Sequence, residues 1–546
     1  MLEIESATVS GRLRAGGGLE ELTWQLQDGE PQALEFEPGA VEQHFSFTAP
    51  LSMGENLLRM RAVDGNGGVG TAVMRLTRRL PPDTQAPQVH VQTPATGQSV
   101  TVRRVRVEGM ATDDRQLASL SWELNGQAPQ AMDVAALDAQ GAFAFEVTPQ
   151  AGANALVLRA KDTAGNTTEE IVSFLFGSQS GGGGLHSGVI RDGSLYTWGR
   201  NNRGQLGLGA AVTTDQKQPL KVPAFEGVAA MALNQNSSMA LKTDGTVWSW
   251  GENAQGQLGV GGAPEPGSSH TPDLSPRSSP TRVPGLSGAV AIAVGYRHGL
   301  VLMEDGTVRA FGDNSTGQLG DGSSESLRDY AVTVVGLSDV VKVAGGSMHS
   351  VALQRDGTVW VWGRNTYGNL GQGTQDAAAH PTPVQVPGLT GVTDIATGRD
   401  HVLALHSDGT VSSWGLDASG QLGYGELLPD ERSATPVKVK GLTDARAVFA
   451  NANMSYARRV DGTLVSWGQN FNGQLGNGDT EDTNMPVTSV SLLKGLTTLT
   501  PGATHVVSIR DDGKIFTWGW NSRGSLGRED LLDNWTYPEP LQVTLP

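Results

Sequence analysis

The chain contains no cysteine, and of its 546 residues only 6% are aromatic and 17% charged. The missing thiols exclude disulfides, thiolate nucleophiles and cysteine-ligated zinc. Basic residues are also scarce. With 39 Lys+Arg against 56 Asp+Glu the net charge is −17, so a phosphate-tracking surface and a nucleic-acid partner are not expected. No apolar run approaches the roughly 18 residues of a membrane span. Met1–Ser6 lacks the cationic start and apolar stretch of a signal peptide. Glycine, by contrast, is abundant: 73 residues, about twice the usual share, imply many tight turns between short strands. The length allows about three or four domains, each able to bury a core.

Internal repeats account for nearly all of that length. From Leu185 onward one phrase recurs seven times: an Asp-Gly turn, a short apolar strand ending Trp-Gly, then Asn-x-x-Gly-Gln-Leu-Gly. The aromatic before the glycine is Trp198, Trp250, Phe311, Trp362, Trp414, Trp467 or Trp518, at spacings of 52, 61, 51, 52, 53 and 51. The longest spacing carries a Pro/Ser-rich insertion around Gly262–Pro280. Within one repeat, Val341–Ala344, Ser350–Leu353, Thr358–Trp362 and Pro381–Val386 read as strands separated by glycine-bearing turns. Four short strands, seven times over, predict a seven-bladed β-propeller at residues 185–546, whose closure removes exposed sheet edges. Tyr537–Val543 (YPEPLQV) has no repeat after it, and the first repeat lacks a strand of this type before it; the last strand is therefore expected to complete the first blade.

The N-terminal part has another period. Gly11, Trp24, Phe45, Phe47, Gly54, Asn56 and Asp64 recur 98 residues later as Gly109, Trp122, Phe143, Phe145, Gly152, Asn154 and Asp162. Two such units read as immunoglobulin-like β-sandwiches, at 1–82 and 83–177, with Asp83–Pro87 (DTQAP) at their boundary. The chain as a whole is thus all-β. Phe176–Gly184 (FGSQSGGGG) reads as a flexible tether, with the linker proper at 178–184, which predicts relative motion between the sandwiches and the ring.

Several repeated motifs suggest chemistry. His298, His349, His401 and His505 each sit seven residues before an Asp-Gly turn. Serine and methionine, Ser237 and Met454, interrupt the series, so the histidines are read as framework residues bonding a neighbouring backbone carbonyl and not as metal ligands. The Gly-x-x-Gly pairs, such as Gly204/Gly207 and Gly256/Gly259, recur in every repeat without a following helix, which excludes a phosphate cradle. The Trp-Gly aromatics read as core fillers with locally satisfied N–H groups. Asp162 and Asn166 suggest calcium, but no Asp-x-Asp-x-Asp-Gly loop supports it. No metal, no cofactor and no catalytic residue is expected, and the chain is read as a non-enzyme.

The segment Gly346-x-x-His349-Ser350-x-Ala352-Leu353, followed by Asp356-Gly357-Thr358-Val359 and Trp362-Gly363-x-Asn365-x-x-Gly368-x-Leu370-Gly371, resembles the repeat of the regulator-of-chromosome-condensation family. The resemblance runs from about Leu185 to the C-terminus and implies a seven-bladed propeller that serves as a binding platform. The N-terminal units resemble bacterial immunoglobulin-like repeats, as in Ala160–Asn166 (AKDTAGN). That combination implies a bacterial secreted, periplasmic or cell-surface protein, with a cytoplasmic location as the alternative.

Binding should use what the repeats leave free. Antiparallel strands place the Gly-x-x-His turns and the Asn-x-x-Gly loops on one face and the Asp-Gly turns on the other. On the shared face the variable positions include Glu252 together with Arg200, Arg203, Tyr296, Arg297, Arg364, Tyr367, Arg399, Phe471, Trp520 and Arg523. Arg, Tyr and Trp are the types that dominate interface hot spots. The expectation is therefore a monomeric protein-binding scaffold that contacts a partner protein through these ten arginine and aromatic residues, with the sandwiches as spacer. Nucleotide exchange on a small GTPase and carbohydrate binding are the alternatives.

Overall fold

The computed structural model describes residues 4–265, 268–426 and 430–546. Their regular secondary structure is strands, with two short 3-10 turns. Two compact units result: Met1–Pro87 with the loops Asp113–Gln116 and Lys161–Thr167, and the remainder of the chain. The first holds a sandwich whose two sheets pair Ser6–Arg14 with Glu42–Pro50, and Leu19–Leu26 with Gln32–Ala33 and Gly54–Asp64, the last also bonded to Val69–Arg78. Trp24 stacks on Phe47 at 4.7 Å in this core, and Trp122 stacks on Phe145 at 4.8 Å in the second sandwich. The same aromatic pair is thus rebuilt by residues 98 positions apart.

Seven four-stranded antiparallel sheets follow. Their innermost strands are Ser180–Gly182, Val228–Leu233, Ala289–Val294, Val340–Gly345, Val392–Thr397, Ala445–Asn451 and Leu496–Pro501. The second strand of each blade, such as His349–Gln354, is buried on both faces between neighbouring sheets. That is why it reads as a nearly continuous apolar run rather than an alternating one.

Ring closure differs from the sequence expectation. The last strand, Trp535–Val543, pairs with Ile515–Asn521 of its own blade, Val543 opposite Ile515, and does not complete the first blade. The first blade is already complete, because the glycine-rich stretch expected to be a linker at 178–184 contains its innermost strand, Ser180–Gly182, fully buried and paired with His186–Arg191. Glycine is required there: a Cβ on Gly182 would lie 2.5 Å from the backbone N of Gly502 in blade seven. Low β-propensity hid a strand that tertiary crowding dictates.

Inter-blade hydrogen bonds, including Ala503 N–H to Gly183 O at 2.9 Å, close the ring without strand exchange. Each Trp-Gly tryptophan is fully buried and donates its indole N–H to a backbone carbonyl in the Asn-x-x-Gly loop of the preceding blade, rather than locally. The bonds run from Trp250 to Gln205 O, Trp362 to Gln318 O, Trp414 to Asn369 O, Trp467 to Gln421 O and Trp518 to Gln474 O, at 2.8–3.0 Å. Trp198 of blade one reaches Ser525 O of blade seven at 2.8 Å, so the final joint repeats the others.

The second sandwich is not held off the ring by a tether but packs against its Asp-Gly end. Arg103 N–H bonds Val341 O at 2.9 Å, and its guanidinium bonds Glu304 O at 2.7 Å. Arg104 bonds Arg355 O. Val102 and Val100 pack on the cores of blades three to five, and Phe176 is fully buried in one of them. The insertion between the third and fourth strands of blade two, Val247–Gly251 and Arg277–Arg282, described apart from residues 266 and 267, reaches Asp329 of blade three, which accepts from His270 Nε2 at 2.5 Å and Asp273 N–H at 2.7 Å.

Candidate functional site

The innermost strands enclose a central cavity of about 1540 Å³. Its walls are lined by small residues such as Ala230, Ala291, Ala344, Ala450 and Thr498. Segment Thr93–Arg106 of the second sandwich contributes to the lining from the Asp-Gly end, while Tyr296, Arg364 and Arg399 line it from the opposite, free face. The Gly-x-x-His turns and the loops after Trp-Gly do share that face: His349 pairs with Gly363, and Arg364 N–H bonds Met348 O at 2.8 Å.

Backbone hydrogen bonds link turns of successive blades around the mouth. Tyr296 N–H bonds Gly346 O at 3.1 Å, Ser347 N–H bonds Arg399 O at 2.8 Å, and Arg399 N–H bonds Ala452 O at 2.7 Å. Blades three to five therefore present Tyr296, Arg297, Arg364, Tyr367 and Arg399 as one arc. Tyr296 is 44% exposed and carries Arg297 over its ring at 5.3 Å; Arg364 lies over Tyr367 at 5.2 Å. The other candidates are placed apart from this arc. Phe471, 58% exposed, belongs to blade six, and Arg200, Arg203, Trp520 and Arg523 belong to blades one and seven. Arg523 faces Asp215 at 3.7 Å. Glu252 accepts from Asn236 Nδ2 at 2.9 Å, so it serves the framework.

The histidines prove to be joints. Their Nε2 atoms meet serines of the next blade, not backbone carbonyls: His298 to Ser350 at 2.9 Å, His401 to Ser455 at 2.8 Å and His505 to Ser187 at 2.7 Å. A fifth member, His186, bonds Ser238 at 3.0 Å; it escaped the sequence pattern because it sits six, not seven, residues before its Asp-Gly turn. His349 has no such partner, since Val402 occupies the serine position. Ser350 donates to Gln318 O at 2.8 Å, so its oxygen accepts from the ring and fixes the proton on Nε2. Nδ1 of all five rings is buried without a partner. Burial holds His186, His298 and His401 at about 3 and His349 and His505 at about 4, neutral at neutral pH. The glycine of the motif is where the ring lies: a Cβ on Gly346 would be 2.0 Å from His349 Cε1.

The remaining motifs are turn chemistry. Gly204 and Gly207 have φ of 76° and 72°, which suits a tight turn. Asp305, Asp356 and Asp408 each accept from the hydroxyl of the threonine two residues on, and these bonds lower their pKa.

One buried ion pair was missed. Lys342 and Asp394 occupy the same register of the innermost strands of blades four and five, where other blades have Ala230, Ala291, Ala447 or Thr498. Lys342 Nζ reaches Asp394 Oδ1 at 2.5 Å and Thr101 Oγ1 of the second sandwich at 3.0 Å. Opposite charges at one register of adjacent repeats were the available signal. Removing the cation with Lys342→Met leaves Asp394, 7% exposed, without its direct ion-pair partner, the buried Arg458 being the remaining cation that acts on it. We expect a loss of about 2–3 kcal/mol, read as a lower urea midpoint, and partial recovery in Lys342→Met/Asp394→Asn. An unchanged midpoint in the single variant contradicts this role.

Comparison with known proteins agrees with the geometry. The model of the RCC1-like domain matches residues 165–447, that of the Regulator of chromosome condensation (RCC1) repeat matches 461–509 and 512–546, and that of a Bacterial Ig domain matches 87–168. The human E3 ubiquitin-protein ligase HERC2 is 30% identical over 346 residues, which cover 61% of this chain and 7% of the ligase. The chain therefore corresponds to a small part of that relative. The Ultraviolet-B receptor UVR8 of Arabidopsis thaliana is 29% identical over 371 residues, 66% of this chain and 80% of the receptor. Among solved structures, Prp20p from Saccharomyces cerevisiae, described with its binding properties to Gsp1p and histones, has a TM-score of 0.56 at 21% identity. The alignment covers 66% of this chain and 88% of that one. Such a likeness concerns the fold alone.

Proposed function

Because the chain belongs to the RCC1-like propeller family, we propose that it is a non-enzymatic recognition protein whose free propeller face captures an acidic segment of a partner protein. One observation carries this reading. On the face away from the second sandwich Tyr296, Arg364 and Arg399 line the cavity, with Arg297 stacked on Tyr296 and Tyr367 beneath Arg364, in a chain whose net charge is −17. Forked guanidiniums over aromatic rings give both contact area and directed hydrogen bonds, and their positive charge steers an acidic partner. Blades one, six and seven, with Arg200, Arg203, Phe471, Trp520 and Arg523, extend the contact for a large partner. The second sandwich serves as a fixed base for the ring. The bacterial-type immunoglobulin unit supports a place in the envelope or outside the cell.

The test is comparative capture. Wild-type chain and the variant Arg364→Glu/Arg399→Glu are immobilised, and proteins retained only by the wild type are identified and purified. We expect the variant to bind the purified partner about 10–100-fold more weakly, and wild-type binding to weaken as salt rises. Equal binding by a variant with unchanged thermal midpoint removes the face assignment. Accelerated nucleotide release from a small GTPase would instead favour an exchange factor.

A further inference from the structure

The linker and loop segments Asp83–Pro87, Asp113–Gln116 and Lys161–Thr167, all within the first compact unit, bring together three carboxylates from distant parts of the sequence. One oxygen from each of Asp83, Asp113 and Asp162 lies within 4.8 Å of the others. Three oxygens no further apart than that can share one ion at the 2.3–2.6 Å typical of calcium.

The bonding at the cluster is incomplete on one side. Asp162 is 1% exposed and satisfied by Gly165 N–H, Asn166 N–H and Asn166 Nδ2. The Asp83 side chain is 5% exposed; its Oδ1 accepts from Gln85 N–H at 3.2 Å, but its Oδ2 has no hydrogen-bond donor. Asp113 Oδ1 accepts from Arg115 and Gln116 N–H groups, while its buried Oδ2 also has no donor. The nearby cation is Arg115, whose Nε stands 3.6 Å from Asp83 Oδ2 and whose terminal nitrogen is taken by Pro81 O at 2.9 Å. Three clustered carboxylates with two sealed, unbonded oxygens call for more positive charge than one guanidinium at that distance supplies.

The internal repeat provides a control. At the 98-residue offset Asp162 corresponds to Asp64, but Asp113 corresponds to Ala15 and Asn166 to Gly68. The sandwich framework therefore keeps the loop aspartate without needing Asp113. We propose that Asp83, Asp113 and Asp162 bind a calcium ion. Hard carboxylate oxygens without His or Cys select calcium over transition metals. A site whose ligands come from the linker and two loops would tie these segments together when filled.

Calcium is titrated into the chelator-treated full chain, with magnesium as the parallel probe, by calorimetry and by limited proteolysis of the 80–88 segment. One calcium is expected to bind, to slow cleavage of that segment and to bind at least about tenfold more weakly to Asp113→Asn and Asp83→Asn. Both variants keep the acceptor shape, and an unchanged near-ultraviolet spectrum shows that they fold. No calcium binding at millimolar concentration, magnesium binding as tightly as calcium, or binding untouched by both substitutions overturns the proposal.

Discussion

Replacing Trp467 with alanine is expected to cost about 3–5 kcal/mol and to loosen the joint between blades five and six. The side chain is fully buried among Leu403, Val411, Val439 and Val465, and it donates to Gln421 O at 2.9 Å across the blade boundary. Truncation both opens a cavity and removes a donor. Trp467→Phe separates the two effects, because it retains most of the apolar volume. Gln421 O still accepts from Ser455 at 2.8 Å, so this change is expected to cost only about 1 kcal/mol. Phe311 already occupies the equivalent place in blade three, fully buried. Denaturant unfolding of both variants checks the prediction, and equal losses would mean that the indole bond, not packing, dominates the joint.

Acidification is expected to unfold the propeller well above the pH at which its aspartates titrate. The five buried imidazoles take up protons in the folded state only near pH 3–4, whereas in the unfolded chain they do so near the ordinary value of 6.5. Between those limits the unfolded chain binds more protons. Stability is therefore complete above about 6.5 and is lost as the pH falls through that window. Each ring contributes up to about 1.4 kcal/mol per pH unit, so five contribute up to about 7, against the roughly 5–15 kcal/mol that holds a typical domain. The hydrogen-bonded Asp-Gly carboxylates, whose pKa values are lowered from 3.8, add their loss only below about pH 4. Thermal midpoints between pH 7 and 4.5 thus report the histidines. His298→Asn should reduce the slope by about one-fifth, and a flat profile across that range would contradict the neutral buried rings.

The recurring residues were legible because repetition amplifies weak local signals. A single Asp-Gly or Trp-Gly pair says little, but seven in phase fix strand count, turn faces and blade number. Their bonding partners were not legible. Trp467 meets Gln421, and His505 meets Ser187, 318 residues away, through inter-blade contacts that no local pattern specifies. The candidate face was legible as a set of variable positions, since the framework's periodicity marks what it does not need. Its division into an arc at the cavity mouth and outlying residues required the ring.

By itself, the sequence determined the all-β class, the two sandwich repeats, the seven-fold ring and the face that carries Tyr296, Arg364 and Arg399. These depend on period and turn chemistry, which act over a few residues. Only the tertiary structure decided that Ser180–Gly182 is a strand, that the last strand stays in its own blade, that the second sandwich is seated on the ring and that Asp83, Asp113 and Asp162 converge. Each of these depends on close approach between distant segments. There, steric room, charge compensation and burial outweigh local preference, and the linear order of residues carries no record of them.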